Sequence, residues 1–183
     1  GTASTDVPVV AKIASRQLPD ILAEMLTNSD NNTAELMLKE IGLQALQQGT
    51  RTAGAQAMVN TLTELGIPTE GLVINDGSGL DRGNRVMCST IQSILLRDGG
   101  FGPVGSGLAV AGRTGTLGDH FTEGAVTQRL RGKTGTLTGV KALAGFVTYD
   151  SELASTFTLI LNGSGVSNQS AYRPIWAALA EAP

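Results

Sequence analysis

Two short runs stand out for the chemistry their side chains can share: Ser29-Asp30-Asn31 and Lys133-Thr134-Gly135-Thr136. A hydroxyl, an amide and an ammonium, brought together, can surround an acyl group held on a serine nucleophile and move its protons. Lys133 supplies a cation for a carboxylate and can tune the proton affinity of its surroundings. Gly135 removes a side chain, so that another backbone can lie along the strand. The N–H of Thr136 can then point into an oxyanion hole, and the Thr134 and Thr136 hydroxyls can bind a carboxylate. Ser29 can pass a proton between a nucleophile and a leaving amine, while the Asn31 amide holds a peptide carbonyl or a catalytic lysine. Each run alone has a plainer explanation. Ser, Asp and Asn are preferred helix caps, and Lys-Thr-Gly can be a polar strand end. Their coexistence favours chemistry.

Ser-x-Asn followed by Lys-Thr-Gly marks the penicillin-interacting serine acyl transferases. The similarity is longer than the two motifs. Ser29-Asp30-Asn31-Asn32-Thr33-Ala34-Glu35, Asp76-Gly77-Ser78-Gly79-Leu80 with Asn84-Arg85-Val86, and Lys133 through Val140 together resemble one family. It is the class C low-molecular-mass penicillin-binding proteins, the D-alanyl-D-alanine carboxypeptidase/endopeptidases of peptidoglycan. The resemblance runs from about Val9 to the C-terminal helix. It implies an α+β fold in which residues 1–183 are the C-terminal portion of a single penicillin-binding, transpeptidase-like domain, with helices packed on an antiparallel sheet. It implies catalytic roles for Ser29, Asn31 and Lys133, substrate-binding roles for Thr134, Gly135 and Thr136, and neither a metal nor an organic cofactor. The implied substrate is a peptidoglycan stem peptide, the implied inhibitors are β-lactam antibiotics, and the implied location is extracytoplasmic in a bacterium.

The family's third motif, Ser-x-x-Lys, carries the nucleophile and lies upstream of Ser-x-Asn. No serine among these 183 residues is followed three positions later by lysine. The resemblance therefore calls for a partner, the N-terminal portion of the same enzyme, and for inactivity without it. One stretch departs from the family pattern: Ala111-Gly112-Arg113-Thr114-Gly115-Thr116-Leu117 has Thr114 where an acidic residue is usual. Two other readings stay open. A β-lactamase-like hydrolase would share the motifs, although the Asp76–Leu80 and Asn84–Val86 segments argue against it. A domain that only binds peptidoglycan peptides would not need the nucleophile.

The chain also contains a decoy. Gly112-Arg113-Thr114-Gly115-Thr116-Leu117 nearly repeats Gly132-Lys133-Thr134-Gly135-Thr136-Leu137. The second copy lies between apolar runs and can occupy a sheet edge; the first is followed by Gly118-Asp119-His120 and reads as a turn packed near the site. Nor is Gly132-Lys133-Thr134 a phosphate loop, because that motif needs glycine where Thr127 stands, and a helix afterwards. Ser78 reads as a turn residue, Asp30 as a cap, His120 as structural or exposed, and Cys88 as a small buried residue.

The remaining composition sets bounds. Hydrophobic residues make up 41% of the chain, enough for a core, while aromatics are only 4%, so that core is aliphatic. A net charge of −3 with no basic run disfavours nucleic-acid binding. No apolar stretch is long enough for a transmembrane helix. One Cys and one His make a zinc site a poor fit.

Positioning elements follow from periodicity. Pro19 suits a first helical turn, and apolar spacing from Ile21 to Leu26 predicts a helix ending near Asn28. Asn32 or Thr33 should cap the next helix, with Leu36, Met37 and Ile41 facing inward. A third helix fits Ala53 to Leu65, stopped by Gly66. Asp76 to Asn84 reads as loop, Ser89 as the cap of a fourth helix through Leu96, and 98–125 as irregular. Val126, Gln128 and Leu130 alternate toward Lys133; with Ala142–Thr148 and Ser155–Leu161 they predict an antiparallel meander, closed by a helix from Asn168 to Ala182.

Overall fold

A computed structural model describes residues 7–149, 152–166 and 169–181. Residues 1–17, expected from sequence as an extended lead-in, begin with six that lie outside that range, as do Asn168 and Ala182 at the ends of the expected last helix.

Helix α1 spans Leu18–Asn28, with proline in its first turn, and ends at Ser29 in the left-handed conformation (φ 57°, ψ 49°). The next residue, Asp30, opens α2 (Asn31–Leu46); its carboxylate accepts from the N–H groups of Asn32 and Thr33 and from the Thr33 hydroxyl. Asp30 is therefore the cap, in place of Asn32 or Thr33, because it stands just before the first helical residue, where its carboxylate reaches the orphan N–H donors of the first turn. Helix α3 (Arg51–Glu64) returns antiparallel to α2, and Gly66 continues from it at φ 70°. Leu38 and Gly42 of α2 meet Ala53, Gly54 and Ala57 of α3, all buried. The deep residue of α2 is thus Leu38, while Leu36 stands 64% exposed.

Helix α4 (Cys88–Asp98) and the short α5 (Pro103–Gly107) follow, then the two-residue strand β1 (Ala109–Val110) and a 3₁₀ turn at Gly115–Leu117. Met87, not Ser89, precedes α4, and no side chain caps it. Cys88 begins the helix and is exposed, not buried: the helix turns Thr90 and Ile91 inward and leaves Cys88 on its outer side.

The strands β2 (Leu130–Leu137), β3 (Val140–Tyr149) and β4 (Glu152–Asn162) form a meander, and the sheet order is β1-β2-β3-β4, antiparallel throughout. The alternation expected from Val126 does not exist as strand. Gln128 has a positive φ of 60°, and the Leu130 N–H donates to the Val126 carbonyl at 2.9 Å, so a turn buries both apolar side chains.

The sheet is covered on both faces. Leu130, Leu143 and Val147 form one core with Ala109, Ala111, Leu117 and Val126, closed by Trp176 and Leu179 of α6 (Gln169–Ala180). Phe146 and Ala144 point the other way, onto Leu95 and Ile91 of α4 and onto Leu108. Burial of these apolar side chains, at about 1.5–3 kcal/mol for each Leu, Val, Ile or Phe, fixes the sheet between its helices. The fold is α+β.

Candidate active site

The corner between α1 and α2 and the start of β2 meet in space. Lys133 Nζ donates to Ser29 Oγ at 2.6 Å and to its neighbour's carbonyl, Thr134 O, at 2.8 Å. The first contact joins residues 104 positions apart. An ammonium carries only donors, so Ser29 Oγ must accept from Lys133, and its own O–H is left to donate elsewhere. Burial holds the Lys133 ammonium below the usual lysine range. Among the described residues no carboxylate forms an ion pair with it, so it is a half-buried cation available to an anionic ligand.

Ser29 is in place because the chain pivots there. Its left-handed backbone costs about 1–2 kcal/mol for a non-glycine residue, and the surroundings enforce it. The Ser29 and Asp30 N–H groups both donate to Met25 O, closing α1, while the Asp30 side chain starts α2. Just upstream, the Thr27 hydroxyl donates to Gly107 O at 2.8 Å. Gly115 of the decoy copy lies so close that an added Cβ would sit 2.0 Å from Thr27 O. Thr114 accepts the Val110 N–H on its hydroxyl at 2.9 Å. The first Thr-Gly-Thr-Leu copy is therefore a buttress under α1 and β1.

Strand β2 offers an open edge. The Ala111 N–H donates to Leu130 O on the β1 side, and β1 pairs with β2 only at Gly132 and Arg131. Main-chain groups in an antiparallel strand alternate sides with period two. The N–H and C=O groups of Thr134 and Thr136 therefore face the same side as Leu130 O, past the end of β1. Side chains alternate too: Lys133 and Gly135 project with their partners Ala144 and Ala142 toward the α4 face, and Thr134 and Thr136 toward the opposite face. Thr136 Oγ1 accepts from Lys141 Nζ at 2.9 Å.

A groove of about 1170 Å³ runs along the open edge of β2. Ser29, Asn31 and Lys133 line one part, Gly135, Ala142 and Ile160 another, and loop residues 78–82 a third. Arg82 Nη1 donates to Thr138 O at 3.0 Å, joining the loop to the β2–β3 turn.

The pattern of the D-Ala-D-Ala carboxypeptidase 3 (S13) family matches residues 1–182. This chain belongs to that family. A D-alanyl-D-alanine carboxypeptidase of Actinomadura sp. (strain R39) is 38% identical over 172 residues, covering 86% of this chain and 31% of the relative. Carboxypeptidase DacB of Mycolicibacterium smegmatis is 34% identical over 180 residues, covering 93% of this chain and 39% of its own. The S13 chain thus spans about a third of the length of these relatives. Among solved structures, penicillin binding protein 4 of Haemophilus influenzae, complexed with a β-lactam, superposes with a TM-score of 0.78 at 25% identity, over 90% of this chain and 42% of that one. Among the described residues of the S13 chain, no helix is long and apolar enough to cross a membrane.

All six residues singled out from the sequence line this groove: Ser29, Asn31, Lys133, Thr134, Gly135 and Thr136. Asn31 occupies the first position of α2. Ser78 is tied down: its hydroxyl donates to Glu35 at 2.8 Å. His120 packs edge-on against Trp176 at 5.0 Å. Two residues escaped the sequence reading, Glu35 and Arg82. Both sat inside runs quoted for other reasons, and only Glu35, one helical turn beyond Asn31, carried a spacing signal.

Proposed function

We propose that this chain supplies Ser29, Asn31 and Lys133 to the active site of a serine-type D-Ala-D-Ala carboxypeptidase/endopeptidase acting on peptidoglycan peptides. The serine nucleophile comes from an N-terminal portion of the same enzyme, and the location is extracytoplasmic in a bacterium. The single observation that carries the reading is the Lys133–Ser29 contact at 2.6 Å beside the open edge of β2. Family membership and the carboxypeptidase names of the relatives support it.

The geometry suits acyl transfer. The peptide lies along the β2 edge, with its terminal carboxylate near the Lys133 ammonium, where Thr134 and Thr136 also line the groove. The upstream serine attacks the scissile carbonyl, a C–O bond forms, and the oxyanion meets the Thr136 N–H. Ser29 gives its free proton to the departing amine nitrogen as the C–N bond breaks, and takes in exchange the proton released by the attacking serine, the transfer aided by Lys133. D-alanine leaves, and water then hydrolyses the ester. Asn31 steadies the peptide carbonyl or the catalytic lysine. A β-lactam acylates the same serine.

The test is labelled benzylpenicillin with the full-length enzyme, followed by peptide mapping. The expected adduct lies on a serine outside these 183 residues, together with D-alanine release from a stem pentapeptide. A stable adduct on Ser29, Ser78 or any other residue of this chain overturns the reading. Penicillin turnover far exceeding peptide turnover would instead favour a β-lactamase-like hydrolase.

A further inference from the structure

Loop 76–85 forms one wall of the groove, and a single carboxylate outside the loop holds its start. Glu35 lies on α2, one turn after Asn31. Its Oε1 accepts from the N–H groups of Gly77 and Ser78, each at 3.2 Å, and from the Ser78 hydroxyl at 2.8 Å. Its Oε2 accepts from Arg51 Nε at 2.7 Å, with the Glu35 side chain 17% exposed. The loop cannot slide along the helix, because Gly77 rests against Ala34 O, where an added Cβ would lie at 2.3 Å. The loop's own shape is set separately. Asp76 accepts from the N–H groups of Gly79 and Asp81 and from the Asn84 amide, at 2.9, 2.7 and 2.7 Å. Asp76 thus folds the loop, and Glu35 anchors the folded loop to the helix that begins with Asn31.

The far end of the loop carries Arg82, which reaches across to Thr138 O. Three rigid pieces are linked in order: α2 through Glu35 to the loop, and the loop through Arg82 to the β2–β3 turn. The separation between the loop wall and the β2 edge is then set by Glu35. We propose that Glu35 is a positioning residue for peptide binding, fixing the loop 76–85 wall at the width that admits an extended peptide beside β2. This rests on the acyl-transfer reading of the groove. Glu35 itself does not line the groove, so it acts through the loop. The ion pair with Arg51 keeps it charged, and charge-assisted acceptors hold N–H donors more strongly than neutral ones. Burial works to raise its pKa, but the Ser78 and Arg51 hydrogen bonds and the Arg51 charge outweigh it, and the carboxyl titrates below the ordinary glutamate range.

The experiment uses the full-length enzyme, a D-Ala-D-Ala-terminated stem pentapeptide and benzylpenicillin. Glu35→Ala should raise the peptide KM about tenfold and lower kcat less than about threefold, the signature of lost binding geometry. Glu35→Gln keeps an acceptor oxygen but loses the charge, and should raise KM by about threefold. Arg82→Ala should raise KM in the parent and add little in the Glu35→Ala background, because the two act in series. Amide hydrogen exchange at Gly77 and Ser78 should quicken in both Glu35 variants while α4 and β3 stay protected. A fall in kcat with KM unchanged, unaltered exchange in the loop, or additive Glu35 and Arg82 effects each overturn the proposal. If Glu35→Ala fails to fold, Glu35→Gln decides by the same readouts. If the parent neither cleaves the peptide nor takes the penicillin, the acyl-transfer reading falls. The exchange result still decides whether Glu35 holds the loop.

Discussion

The two Gly-containing copies of Thr-Gly-Thr-Leu should respond in opposite ways to the same change, glycine to alanine. Gly115 has φ 53°, and a Cβ there would lie 2.0 Å from Thr27 O. That is far inside ordinary van der Waals contact, and the atom it meets is backbone, which no rotamer change can move aside. Overpacking of this kind costs about 1–3 kcal/mol, and the left-handed conformation about 1 kcal/mol more, for a total of about 2–4 kcal/mol. Gly135 has an ordinary strand conformation, and its added Cβ would meet only Ala142 Cβ, at 3.2 Å. Its neighbour need yield by a few tenths of an ångström, and alanine removes unfolded-state entropy worth about 0.4–1 kcal/mol. Gly135→Ala should thus be within about 1 kcal/mol of the parent in stability while its methyl group intrudes on the groove. Thermal unfolding of the full-length enzyme, paired with penicillin acylation, separates the two. Gly115→Ala should lower Tm by several degrees, as expected for a loss of about 2–4 kcal/mol, and lose acylation because Thr27 and Ser29 shift together. Gly135→Ala should hold its Tm and lose acylation alone. Equal Tm losses, or a neutral Gly115→Ala, would refute the assignment of one copy to the fold and the other to the substrate.

Further outcomes are expected. Lys133→Ala should lower acylation by about 10²-fold or more, the scale of losing an electrostatic group in a shielded site; Arg113→Ala should change it by less than about threefold, and the reverse order in acylation kinetics would mean the copies had been exchanged. Burial lowers the Lys133 pKa, so the folded state releases this proton more readily than the unfolded chain. The desolvation cost is then fully present below the folded pKa and is relieved as pH rises toward the ordinary lysine value. A lysine-selective NMR titration, assigned with Lys133→Arg, should place its midpoint below the ordinary lysine value, and acylation should decline over the same alkaline range; a midpoint at or above that value refutes this. Burial acts upward on Asp76, but its bonds from Asn84, Asp81, Gly79 and Ser78 lower its pKa overall. Its contribution is therefore present above the ordinary aspartate pKa and is lost as pH falls through the folded value. Asp76→Asn should flatten the acid limb of the stability–pH profile measured by denaturant unfolding, and an unchanged limb counts against the loop network.

The legible parts of the sequence were those with short-range causes. The helix end near Asn28 and a cap at Asp30 rest on local signals, and the structure has both, while the left-handed turn at Ser29 between them carried none. Helix α3 with Gly66 follows the same logic. What failed had causes elsewhere in the chain. Val126, Gln128 and Leu130 look like alternating strand, but a turn buries Val126 and Leu130 on one side, and spacing cannot distinguish that from a pleat. Leu36 is apolar and helical, yet α3 packs on Leu38 instead, since its small residues meet that side of α2. The Glu35 bonds to Gly77 and Ser78 span more than 40 positions, so no window of local pattern contains them. The Lys133–Ser29 contact was anticipated only through the family resemblance.

The two near-repeats also show how the site is held. Lys133, in the second copy, touches Ser29 from the β2 side. Gly115, in the first, presses on Thr27 from below. Both converge on the last turn of α1, where the chain adopts a left-handed residue that it would not choose unaided. Strain of that kind persists only where neighbours over-determine it, and here four do: Asp30 caps the next helix, Met25 O closes the previous one, Gly107 O takes the Thr27 hydroxyl, and Gly115 blocks retreat. The hydroxyl of Ser29 is therefore aimed by backbone geometry before any ligand arrives. Lys133, donating to it, leaves the Ser29 proton free for another acceptor in the groove that Ser29 lines. A site made this way depends less on flexible side-chain reach than on the packing of two glycine-bearing turns, which is why one of them can look catalytic in sequence while serving only to hold the other's partner in place.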